Sequence, residues 1–120
     1  MEHLITSKER SDIRWALSDA FVDNEVDYAA IAREIEKFDP ETIEEILFSE
    51  VAPVCHTNLE STLPAIWSCF NKEELESDIK HMLSLRKNSS IRKMFDHLLI
   101  KWLRYRYKYI WVEIANNLKK

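Results

Sequence analysis

Apolar residues recur along this chain at spacings of three and four, the mark of helices that turn one face toward a core. Thr6-Ser-Lys-Glu9 has the spacing of a capping box, in which the threonine hydroxyl accepts from the N3 amide and the glutamate returns to the cap amide. A helix is predicted to begin there, with Ile13, Ala16, Leu17, Ala20 and Phe21 inward and Asp12, Asp19 and Asp23 on another face. Trp15 falls off that stripe and, as a large aromatic, is expected to pack against a second neighbour. Tyr28, Ile31, Ile35 and Phe38 predict a second helix over about Asp27 to Phe38. Asp39-Pro40 then joins a good N-cap to a residue suited to the first helical position, so a third helix is expected from Pro40. Its inward residues are Ile43, Ile46, Leu47 and Val51, while Glu41, Glu44, Glu45 and Glu50 make it the most acidic element.

Pro53 removes an amide donor and biases Ala52 away from helix, and from Val54 to Phe70 the periodicity weakens. That stretch reads as a broken helical connector crossing the core. Asn71-Lys-Glu-Glu74 supplies another cap, and Leu75, Ile79, Met82 and Leu83 carry a helix to about Lys87. After the polar Asn88-Ser89-Ser90 comes the longest pattern, Ser90 to Leu118. At about 100° per residue, Ile91, Met94, Phe95, Leu98, Trp102, Tyr105, Tyr109 and Val112 share about a third of the circumference. Leu99, Leu103, Ile110 and Ile114 widen this arc, and Lys93, His97, Lys101, Arg104 and Lys108 line the opposite flank. A helix so broadly apolar depends on tertiary packing. The expectation is therefore an all-α, single-domain bundle over residues 1–120: about five helices and a broken connector, wrapped around a long C-terminal helix whose eight-residue stripe is buried. No segment alternates with period two between turn signals, so no sheet is expected.

The ordered set Trp15-Ala-Leu-Ser-Asp19-Ala-Phe21-Val-Asp23, Ile31-Ala-Arg33, Glu44-Glu-Ile-Leu47, Glu50-Val-Ala-Pro-Val-Cys55, Asn58-Leu59, Trp67 and Phe70 resembles an uncharacterised bacterial family of small helical proteins. The resemblance covers about residues 10 to 80. It implies a bacterial, cytosolic, single-domain protein and supplies no activity.

Composition narrows the chemistry. The chain has no glycine, against an average near 7%, which excludes Gly-rich phosphate loops. It also has no run of about 18 apolar residues, and its first residues lack a basic and apolar leader pattern, so a cytoplasmic location is expected. In that setting Cys55 and Cys69 are read as free thiols. Cys55-His56, Cys69 and His81 lack the two-to-four-residue ligand spacing of structural zinc sites, and nothing pairs a nucleophile with a base. No catalytic residue, metal or other cofactor is assigned, and the chain reads as a non-enzyme.

Charge is uneven. Residues 1–85 hold 7 Lys/Arg against 19 Asp/Glu, net −12, and residues 86–120 hold 10 against 2, net +8. Internal neutralisation is one reading. The other is display to a partner. An acidic helical body without catalytic signals suits a protein-binding module, most concretely a bacterial immunity protein that neutralises a secreted toxin, such as a nuclease, by docking on a cationic domain. Asp12, Asp19, Asp23, Glu41, Glu44 and Glu45 are the candidate docking residues. The alternative is nucleic-acid or regulatory binding by the basic aromatic terminal helix, through Lys101, Arg104 and Lys108. The acidic body counts against a polyanion, a membrane role is set aside, and a homodimer through the terminal helix stays open.

Overall fold

The computed structural model describes residues 5–21, 26–56 and 72–118, all built from helices, with no strand among them. The elements are α1 (Ser7–Ser18, running into a 3-10 turn at Asp19–Phe21), α2 (Tyr28–Ile35), α3 (Pro40–Ile46), a π-helical turn (Leu47–Val51), α4 (Ala52–Cys55), α5 (Lys72–Asn88), α6 (Ser90–Arg106) and α7 (Lys108–Leu118). Local chemistry sets the starts. The Thr6 hydroxyl accepts from Glu9 N at 3.0 Å while Glu9 Oε1 accepts from Thr6 N at 2.9 Å, closing the expected capping box. Asp27 and Ser89 cap α2 and α6 by accepting from Ala30 N and Arg92 N. Ser89 alone separates α5 from α6, so these two form a tight helical hairpin.

One core unites the described elements. Ile13, Ala16, Leu17, Ala20 and Phe21 from α1 meet Ile31, Ile35 and Phe38, then Leu75, Ile79 and Met82 from α5, all buried on the faces their spacing indicated. Trp15 packs half-buried against them.

The centre of the bundle is not the terminal helix. Every residue from Ile46 to Ala52 is buried, so the span that joins α3 to α4 is the element enclosed on all sides. Its backbone deviates for a definable reason. Ser49 O would ordinarily accept from residue 53, but Pro53 has no N–H. Ser49 O instead accepts from Arg86 Nη2 at 3.0 Å, and Ala52 N reaches back five residues to Leu47 O, the π-type bond. Two polar side chains enter this span with partners. Ser49 Oγ donates to Glu45 O at 2.6 Å, and Glu50 takes the Arg10 and Arg14 guanidinium groups.

The terminal segment is two helices, broken at Tyr107 (φ −113, ψ 25). The free-thiol expectation is overturned for Cys55, which is buried and disulfide-bonded, and no described cysteine is free. The only other cysteine in the chain, Cys69, lies outside the described residues, as does most of the connector over 54–70.

Candidate protein-docking face

Helix α6 and its continuation α7 are apolar on two faces. The inner face seats Leu103, Tyr107, Ile110 and Ile114 in the core, with Leu99 and Ile100 partly covered beside them. Tyr107 anchors it, meeting Phe21 edge-on at 5.9 Å between centroids and Trp102 at 6.2 Å. α7 packs chiefly on α2, and α6 on α5. The inner face also contains Asp96, only 4% exposed. Its carboxylate accepts from Arg86 Nε and Arg92 Nε, both at 2.9 Å, so the buried charge is paired twice.

The outer face, about 140° around the helix, carries the stripe expected to be buried. The structure reverses that assignment. Ile91, Met94, Phe95, Leu98, Trp102, Tyr105, Tyr109 and Val112 are all exposed, from 41% for Val112 to 84% for Tyr105. Taking roughly 150–250 Å² for a fully accessible large side chain, the eight present on the order of 900 Å². The largest apolar patch on a typical monomer is about 300–600 Å², and larger ones mark interaction sites. The reason for the reversal is visible in Asp96. Counting apolar positions favoured the arc with eight large side chains, whereas the buried arc includes an aspartate that becomes compatible with burial only once Arg86 and Arg92 reach it.

The charged candidates fall into separate groups. Arg104 Nη1 lies 3.3 Å from Glu44 and Nη2 3.1 Å from Glu45, with the guanidinium 5.2 Å from the Phe48 ring centroid. Residues assigned to rival binding surfaces are thus ion-paired to each other. Asp12 pairs with Lys8 at 3.3 Å and Lys72 at 3.1 Å. The Lys72 hydrogen bond, with Lys8 adding to it, holds the Asp12 carboxyl below the usual carboxylate range against the opposing effect of burial. Asp19 and Glu41 are exposed, and Asp23 lies outside the described residues. Lys101 and Lys108 are exposed along one long edge of the apolar stripe, and no ion pair among the described residues engages them.

A concavity of about 490 Å³ lies between α1 and α5 and is lined by Ser11, Lys72, Glu73, Glu76, Ser77 and Lys80. Lys72 is drawn to Asp12 and Glu76 to Arg14, so these two charges serve the helix packing. Behind it, Glu50 sits between Arg10 and Arg14, with Arg14 Nη1 reaching Glu76 at 2.8 Å. The Glu50 hydrogen bond raises Arg10 above its ordinary pKa although burial works against this. Among the described residues no three His, Cys, Asp or Glu side chains gather as a metal site would require, and no helix is long and apolar enough to cross a membrane.

No curated protein and no solved structure matches the chain. Residues 8–117 match the model of a family described as a domain of unknown function, DUF7079, and the chain belongs to that family.

Proposed function

We propose that this protein is a non-catalytic protein-binding module that docks through the outer face of α6 and α7. The observation that carries the reading is the exposed stripe from Ile91 to Val112, far larger than scattered surface hydrophobics would produce. Its aromatic residues are the types that dominate binding energy at protein interfaces. Neutralising a toxin domain, the form suggested by an acidic body, is one task such a module performs. Its support is the net charge over residues 1–85, while Asp12, Glu44 and Glu45 are engaged within the chain.

A photocrosslinking residue at position 98, introduced in the native cell, tests the reading. It should yield a covalent protein adduct that the same probe at exposed Glu34 does not. Equal yields at the two positions, or crosslinks only to nucleic acid, would overturn it.

One observation favours a second reading. Lys101 and Lys108 are exposed beside Tyr105 and Tyr109, the interleaving of cation and aromatic ring used to hold single-stranded nucleic acid. The aliphatic side chains of Ile91, Met94, Leu98 and Val112 in the same stripe suit an apolar partner better, because bases stack on rings.

A further inference from the structure

The exposed side chains have an order beyond being apolar. Ile91, Phe95, Leu98, Trp102, Tyr105, Tyr109 and Val112 follow one another at steps of four, three, four, three, four and three. Two interleaved seven-residue series result, Ile91, Leu98, Tyr105, Val112 and Phe95, Trp102, Tyr109. An average step of 3.5 is the seam of a coiled coil, and it matches a second helix lying alongside better than a lipid surface or a strand edge. The series runs from Ile91 to Tyr105 within α6, about 21 Å, and resumes with Tyr109 and Val112 on α7. Met94, Lys101 and Lys108 repeat at seven along one margin of that seam, where coiled coils place the charges that choose a partner.

Those margins also decide between occupants. In an antiparallel two-fold pair of this chain, the margin bearing Lys101 and Lys108 would face its own copy. In a parallel pair it would face the other margin, Arg92, Leu99, Arg106 and Glu113, which holds two arginines and one acid. Neither arrangement neutralises both lysines: the antiparallel pair sets lysine against lysine, and the parallel one sets Lys101 against Arg106 and only Lys108 against Glu113. The exposed area of roughly 900 Å² is close to the ~800 Å² that each partner contributes to a standard interface. Resting on the reading above, we infer that the occupant is an amphipathic helix of a different protein, with apolar residues at 3–4 spacing and carboxylates at seven-residue intervals facing Lys101 and Lys108.

The test is a phage-displayed library of helices about three heptads long, with fixed apolar seam residues and flanking positions randomised among Glu, Gln and Lys. Panning on the wild-type chain should enrich Glu on the lysine side. Panning on Lys101→Glu/Lys108→Glu should enrich Lys at the same positions. A peptide selected on wild type should bind that variant about tenfold more weakly, as two exposed ion pairs turned into repulsions would produce, and should lose binding to Leu98→Glu. Selection without charge preference, or for Lys on wild type, overturns the inference. So does failure of every peptide, and two further measurements then separate the inference from the reading beneath it. A wild-type dimer in sedimentation that Leu98→Glu dissociates would leave the protein-binding reading standing with a second copy as occupant. A monomer that instead floats with phosphatidylserine vesicles, or binds a single-stranded oligonucleotide, through Leu98 would overturn both.

Discussion

Arg104 Nη2 lies 3.1 Å from Glu45 Oε2, tying the basic terminal segment to the acidic third helix. With Glu44 on the other nitrogen and Phe48 beneath the guanidinium, one arginine cancels part of the charge asymmetry that seemed available for partners. The three charged side chains are between 36% and 61% exposed, so each pair contributes little, ~0.2–1 kcal/mol. Arg104→Ala should cost about 1 kcal/mol, partly through packing of the stem and ring contact. Denaturant titrations at low and high salt check this: high salt should shrink the difference without abolishing it.

Glu50 is the opposite case. Its side chain is 6% exposed and belongs to the packed span at the centre of the bundle, and Arg14, which reaches it from α1, is 8% exposed. Glu50→Ala would leave the Arg14 charge buried with Glu76 as its remaining carboxylate, and breaking such a network costs about 3–5 kcal/mol. Equilibrium unfolding should show that loss. A change below about 1 kcal/mol would mean that water reaches Arg14 in solution.

Reduction should destabilise the protein. Cys55 is disulfide-bonded, and such a bridge is typically worth about 2–4 kcal/mol. The melting temperature should fall by roughly 10–15 °C when dithiothreitol is added. An unchanged value would restore the free-thiol expectation.

Asp12 supplies a small, signed pH effect. Its folded pKa is depressed below the unfolded value of ~3.9, chiefly by Lys72, so its contribution is present above that value and lost as pH falls through the folded one. Asp12→Asn should therefore show a shallower loss of stability than wild type below about pH 4, and the same slope between pH 5 and 8. Parallel melting curves of the two proteins across that range decide it.

Most of the fold was legible because α1, α2, α3 and α5 each have one apolar stripe and one destination for it. Ile13, Ile31, Ile43 and Leu75 are buried where their spacing placed them. The terminal helix was misread because it has two apolar arcs, and periodicity reports an arc without saying whether the chain itself or something else covers it. Asp96 made the true inner arc look polar, since Arg92 four residues earlier pairs with it locally but Arg86 reaches it only through the α5–α6 hairpin. The central role of Ile46–Ala52 was obscured in a similar way: Ser49 and Glu50 interrupt an otherwise apolar run, and while the Ser49 hydroxyl is satisfied locally by Glu45 O, the partners of Glu50 lie on α1. Among the candidate docking residues, Glu44 and Glu45 were visible as acids, but Arg104 is 59 residues from Glu45 in sequence and no pattern announced the pair.

That reversal yields the sharpest stability test. Tyr107 is 1% exposed and wedged against Phe21, so Tyr107→Ala should cost about 3–5 kcal/mol, the range for truncating a large buried aromatic. Trp102 touches Tyr107 and His56 edge-on but is 44% exposed, so Trp102→Ala should cost clearly less. Leu98 is 56% exposed, and Leu98→Glu should change stability by no more than about 0.5 kcal/mol, because a substitution away from core, caps and ion pairs has little to disturb. The order Tyr107, Trp102, Leu98 in denaturant unfolding is specific to an outward-facing stripe. If Leu98→Glu were as damaging as Tyr107→Ala, the stripe would belong to the core of the molecule, and the docking face argued from it would have no surface on which to exist.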